Sequence, residues 1–188
     1  MLDCVKHCLV ALAVLAVTGG IVQAKDVSVT YETQGRAIFT FAAPDNWQVL
    51  TGFEVLPSDL QGGETPAPRI VSLFPLEGDR VMWSGLWSPT TIGRLDELED
   101  YLALLAPQLL SDVRVTFRDE RLINGRESRI VSGTGTKDGR DLDFALVAIQ
   151  VRSDRVAMAA FIGQPEIYDR YEGELIGIMN SIRAVESQ

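Results

Sequence analysis

The chain has 188 residues, 46% of them hydrophobic and 23% charged, with a formal net charge of −9. That composition suits one soluble domain with a core of its own, and the acidic balance argues against nucleic acid and anionic membrane surfaces, which attract basic patches. Both cysteines and the single histidine fall within the opening MLDCVKHC, as Cys4, His7 and Cys8.

After Lys6 comes CLVALAVLAVTGGIVQA, an apolar run ending in small residues, with Val22 and Ala24 in the A-x-A-like positions before Lys25. Its uninterrupted core, Cys8 to Val17, is about half of the roughly 20 residues that cross a bilayer as a helix. Residues 1–24 are therefore expected to be a secretory signal peptide cleaved after Ala24, leaving residues 25–188 as a periplasmic domain. The alternative is an uncleaved anchor, since Cys8 to Ala24 nearly spans when tilted. Cys4 and Cys8 precede the apolar core, whereas a lipoprotein cysteine follows it. Cleavage removes every thiol and imidazole. Disulfides, thiol redox chemistry and His/Cys zinc sites go with them, and so does the usual base of a nucleophilic enzyme. Lys25 and Lys137 are the lysines that remain, one terminal and one at a hairpin tip, where nothing desolvates it.

Along the domain, VSVTYE (27–32) and RAIFTFA (36–42) predict a hairpin. The turn APDNW follows, with Pro44 presetting φ, and then an extended stretch from Trp47 to Leu56. Two glycines and two prolines make SDLQGGETPAP (58–68) a loop. RIVSLFPLE (69–77) and RVMWSGLWS (80–88) read as strands turning at Gly78–Asp79. In RLDELEDYLALLAPQLL (94–110) the period changes: Leu95, Leu98, Leu102, Leu105 and Leu109 share one helical face. Asp96, Glu97, Glu99 and Asp100 sit at its positive end, and Pro107 weakens its last turn. VRVTFRDERLI (113–123), Asn124–Gly125 and RESRIVSGTGT (126–136) carry a strong hairpin signal, because Asn-Gly accepts the positive φ angles of a two-residue turn. KDGR turns into DLDFALVAIQVR (141–152), and Ser153–Asp154 into RVAMAAFIG (155–163). Blurred alternation in FALVAI and VAMAAFI predicts strands covered on both faces. From Pro165 a helix is expected through EIYDRYEGELIGIMNSIRAV, with Tyr168, Tyr171, Leu175, Ile178 and Ile182 as its apolar stripe. Gly173 and Gly177 either weaken it, by about 1 kcal/mol each, or let it pack closely. Tight turns imply antiparallel strands. The expectation is a single α+β domain: an antiparallel sheet of about six to eight strands covered by helices.

FTFAAPDNW, RLINGRESRIVSGTG and the closing IGIMNSI resemble, in that order, an early strand, a middle hairpin and a last helix of the PsbP-like fold. The likeness rests on Pro44, Trp47, Asn124, Gly125, Arg126, Ser181 and Ile182, and is spread over residues 27–184. It implies an α/β/α sandwich and, from the members known, accessory or binding roles rather than a set activity. No functional residue is carried over.

Two constellations remain as candidate sites. Asp141 and Asp143, two apart, share one face of a strand, and with Asp138 they offer oxygen ligands for a cation or an acid/base pair. KDGRDLD lacks the spacing of a calcium-binding EF-hand loop, and Arg126, Arg129 or Arg140 equally neutralise it. A solvated hairpin end is the plainer reading. SGTGTKDG is followed by a strand, so it is no phosphate cradle, which needs a helix N-terminus next. In VMWSGLW, Val81, Trp83, Gly85 and Trp87 share a face. Gly85 leaves a gap between two indoles that suits an apolar or planar ligand, with the 58–68 loop and Phe53 beside it. The plainer reading packs both tryptophans under a helix or the long loop. The functional expectation is an exported, non-enzymatic accessory protein that engages an envelope protein or a small apolar ligand, without a cofactor. Its rivals are a carboxylate-based, cation-dependent hydrolase and a membrane-tethered envelope-stability factor.

Overall fold

A computed structural model describes residues 26–55, 69–76 and 82–186, without the side chains of 52–55. The proposed signal segment and its cleavage point, the 58–68 loop, the Gly78–Asp79 turn, Val81 and the Phe53 side chain lie outside the described residues.

Paired positive φ angles set three of the corners. Asn124 and Gly125 adopt φ 54° and 74°, Asp138 and Gly139 52° and 74°, and Gln34 and Gly35 51° and 71°. This is the backbone twist that joins neighbouring antiparallel strands through two residues. The Gln34 turn joins β1 (Val27–Thr33) to β2 (Arg36–Ala43). The other two join β6 (Ser111–Ile123), β7 (Arg126–Lys137) and β8 (Arg140–Arg152). With β9 (Arg155–Gly163) these last strands form the expected meander.

β3 (Trp47–Val55), β4 (Arg69–Pro75) and β5 (Met82–Trp87) join the meander in a seven-stranded antiparallel sheet, ordered β3-β4-β5-β9-β8-β7-β6. The chain leaves β5 through Leu95–Glu97, a single 3-10 turn, and α1 (Leu98–Leu109), starts again at the far edge with β6, and works back until β9 closes against β5. The first hairpin stays out of this sheet. It forms a second, three-stranded one with β10 (Arg183–Ala184).

β10 corrects the sequence expectation at the C-terminal helix. α2 runs Pro165–Ser181 and stops short of the expected Val185. The Ser181 hydroxyl donates to Ile178 O at 2.6 Å and accepts the Ala42 N–H at 2.8 Å. Ile182 then turns extended, and Arg183 and Ala184 pair with Thr40 and Phe39. Pairing with β2 outcompetes one more helical turn.

Strand alternation separates the two faces of the large sheet. Trp83, Gly85 and Trp87 lie opposite Ile162, Ala160 and Met158, which lie opposite Phe144, Leu146 and Ala148. A hydrogen bond from Trp87 to Tyr101 marks this as the face under α1. The other face carries Trp47, packed edge-on against Tyr171 of α2 with ring centroids 5.5 Å apart. The architecture is an α/β/α sandwich. Phe144–Ile149 and Val156–Gly163 are buried at every residue, as the blurred alternation implied.

Glycines in the SGTGT stretch serve close approach. A Cβ on Gly133 would strike the Arg114 carbonyl oxygen, and one on Gly135 would lie 3.1 Å from Ser111 O, where the register of β6 against β7 shifts between Ser111 and Phe117. Gly173 and Gly177 of α2 meet nothing within 4 Å, so they only weaken the helix. Gly133→Ala should therefore cost about 1–3 kcal/mol by overpacking against rigid backbone, whereas Gly173→Ala should add about 0.5–1 kcal/mol. Urea unfolding of the two variants checks both signs.

Candidate functional site

The tryptophan strand is a packed layer. Trp87 is fully buried, and its Nε1–H donates to the Tyr101 hydroxyl at 2.9 Å. Burial in turn pushes the Tyr101 phenol up to about 12, so it stays neutral at any ordinary pH. Trp83 is half-buried and donates to Ser72 Oγ on β4 at 3.2 Å. That bond lays its indole over Gly85, where a Cβ would collide with the ring. The space foreseen between the two indoles is thus filled by Trp83 itself. Further along this face, an apolar void lined by Ala106, Leu109, Val113, Phe144, Leu146 and Ile162 measures about 20 Å³, room for about one water and too little for a ligand.

The carboxylates are spread along the β7–β8 hairpin. Asp141 is exposed opposite Thr136, and Asp143 is half-buried opposite Thr134. Asp138 occupies the first left-handed position of the turn. Among the described residues no group of three or more acidic, histidine or cysteine side chains is placed to hold a metal ion. Asp143 is held above the usual carboxylate range, first by desolvation and then by Asp169 and Glu166 on α2. Neither Arg126 nor Arg129 neutralises this end. Arg126 Nη1 donates to Val151 O at 2.7 Å, and Arg129 pairs with Glu120 at 3.0 Å.

The larger openings lie elsewhere, and they meet at Ser153 in the β8–β9 turn. The first, about 690 Å³, opens on the α1 face beyond the first turn of that helix. Its floor is β6 and β7, with Glu120, Leu122, Glu127 and Arg129; its wall is Arg94–Asp96. Both charged pairs are preset. Arg94 grips Asp96 through Nε and Nη2 at 3.0 and 2.9 Å, a fork that lowers the Asp96 pKa. Arg129 Nη1 also donates to Leu95 O at 2.7 Å. Gln150 fixes the wall to the sheet: it accepts the Leu95 N–H at 3.1 Å and donates to Gly93 O at 2.7 Å. Leu122 stands among these groups 66% exposed.

The second opening, about 490 Å³, is lined by Arg36, Arg126 and Arg152 together with Asp154, Glu186 and the chain at 184–185. Arg152 donates from Nη2 to Ala37 O at 2.8 Å and to Val185 O at 2.6 Å, tying the small sheet to the large one. Neither cleft was anticipated from the sequence. Each is assembled from segments far apart in the chain, and no local motif marks it.

No family model matches the chain, and no curated protein does. Solved structures do. The solution structure of cyanobacterial PsbP from Synechocystis sp. PCC 6803 superimposes with a TM-score of 0.55 at 13% identity, covering 91% of this chain and 99% of that one. The fold is PsbP-like. LpqN of Mycobacterium tuberculosis, described as involved in cell envelope biogenesis, shares it with a TM-score of 0.54 at 12% identity, over 86% of this chain and 91% of its own. A PsbP-like sheet and helices at such identities carry architecture and no activity. Among the described residues of this PsbP-like chain, no helix is long and apolar enough to cross a membrane.

Two measurements test the packing of these sites. Tyr101→Phe leaves the buried Trp87 N–H without an acceptor and should lower stability by about 1–3 kcal/mol, read by chemical denaturation. Asp143 has a folded pKa above its unfolded one, so the folded state binds the extra proton and stability falls as pH rises through that window. Asp143→Asn should therefore raise Tm at pH 7, by the equivalent of up to about 0.5 kcal/mol. The gain should vanish once the pH falls below the carboxylate range.

Proposed function

We propose that the protein is an exported accessory protein of the cell envelope, and that it engages a partner protein at the 690 Å³ cleft around Leu122 without chemistry of its own. The carrying observation is Leu122, an exposed apolar side chain ringed by charged groups that already have partners. A partner covering it desolvates an apolar centre while the rim keeps its hydrogen bonds, which is how protein interfaces are commonly built. Because the ion pairs and Gln150 hold the walls in place, little side-chain freedom is lost on binding.

Export is supported by the apolar run ending at Ala24, and an envelope role by the likeness to LpqN. Absence of catalysis is supported by composition: beyond Ala24 the sequence holds no histidine or cysteine. Among the described residues, Asp141 and Asp143 belong to no group of three placed to hold a metal and to no ion pair. The filled space at Gly85 favours a protein partner over a small apolar ligand.

Crosslinking and capture from envelope extract tests this reading, using the intact protein, Leu122→Asp and Trp83→Phe. The partner should be lost from Leu122→Asp, an exposed position whose change spares the core, and kept by Trp83→Phe. An unchanged catch with folded Leu122→Asp rejects the cleft. A protein whose N-terminus begins at Lys25 confirms release from the leader, and one retaining residues 1–24 places it on a tether.

A further inference from the structure

The second cleft gathers arginines on a molecule that is acidic overall. The protein carries 26 acidic residues against 17 lysines and arginines. Yet among the described residues none lies within ion-pair distance of Arg36, Arg126 or Arg152, although all three line one opening of about 490 Å³. Asp154 and Glu186 share that opening but stand off from the guanidinium groups, both exposed. The cleft therefore gathers three positive charges against two negative ones, with none of them paired.

Two of these arginines are held rigidly, and by neutral groups. Arg126 spends one N–H on Val151 O. Arg152 spends Nε and Nη2 on Val185 O and Ala37 O, which leaves Nη1 without a partner among the described residues. Carbonyl oxygens orient a guanidinium without cancelling its charge. Half-buried and uncompensated, such groups are poised for an oxyanion, whose paired oxygens fit the planar fork of donors. Arg36, exposed and, among the described residues, in no side-chain hydrogen bond or ion pair, adds a third charge from β2.

We infer that this cleft, between the β8–β9 turn, the start of β2 and the segment at 184–186, binds a phosphate group carried on a small organic ester. Its volume lies in the range of small-molecule pockets and leaves room for a glycerol- or sugar-sized remainder beside the phosphate. Net charge does not oppose this. Beyond the ~8 Å Debye length at physiological salt the acidic surface is largely screened, and within the cleft three arginines outnumber Asp154 and Glu186. The phosphate comes either from a soluble ester or from a phospholipid headgroup, both of which present the same oxygens.

Calorimetric titration at constant ionic strength decides it, with inorganic phosphate and glycerol 3-phosphate against matched chloride. A parallel arm uses sedimentation with phosphatidylglycerol vesicles against phosphatidylcholine vesicles. Binding of a soluble phosphate that exceeds chloride, and weakens about tenfold in each of Arg36→Gln and Arg126→Gln, supports a soluble-ester source. Co-sedimentation with phosphatidylglycerol alone, lost in the same variants, supports the headgroup source. The Arg36 side chain is exposed and holds no hydrogen bond or ion pair among the described residues, so Arg36→Gln should keep the fold, and Arg114→Gln on β6 serves as an exposed control that should change nothing. Equal responses to phosphate and chloride with no vesicle binding, or binding that survives both variants or is lost equally in Arg114→Gln, overturns the assignment.

Discussion

The antiparallel seam between β5 and β9 is the contact on which the rest of the molecule hangs. It joins Met82–Trp87 to Met158–Gly163 and so turns two separate strand groups into one sheet. Without it, β3–β5 would be a three-stranded ribbon and β6–β9 a meander with an open edge. Because β9 lies inside the sheet, both of its faces must be covered, and its sequence is written for that. Ala157, Ala159 and Phe161 face α2, while Val156, Met158, Ala160 and Ile162 face α1, all buried. The α/β/α sandwich follows from burying this one strand.

Coverage is uneven, and that is what leaves surface for function. α1 lies over the middle of its face, where Trp87 and Tyr101 meet. The outer strands β6 and β7 run past it, so the sheet beyond the first helical turn is open and polar. The charged side chains there are mostly tied down: Arg94 to Asp96, Arg129 to Glu120 and Leu95 O, Gln150 to Gly93 and Leu95. Order there comes from hydrogen bonds to backbone and to neighbouring charges rather than from packing. The tryptophans, by contrast, are committed to the core or its margin. Trp87 ties α1 to the sheet through Tyr101, and Trp83 ties β5 to β4 through Ser72.

What was legible beforehand was local. The leucine stripe of α1, the Asn124–Gly125 corner, the meander and the doubly buried β8 and β9 all follow from residues within a few positions of one another. Seven strands in the main sheet fell within the expected range, and the arrangement resembles PsbP as anticipated. The end of α2 was misjudged because its stop signal is distant: Ser181 is capped by Ala42, 139 positions away. The separate small sheet escaped notice for the same reason. Alternation correctly put Trp83, Gly85 and Trp87 on one face. It says nothing of how an indole lies, and the bond to Ser72 lays Trp83 across the glycine. Both clefts were invisible, since Arg36, Arg126, Arg152 and residue 186 are neighbours only in space.

The third strand of the small sheet has an implication for how the protein matures. β1 and β2 are synthesised well before the strand that completes their sheet and the Val185 carbonyl that Arg152 grips, which come near residue 184. At about 5–20 residues per second, the early hairpin waits on the order of ten seconds for its partner, with Phe39 and Phe41 not yet enclosed. Residues 183–185 act as the latch of the small sheet.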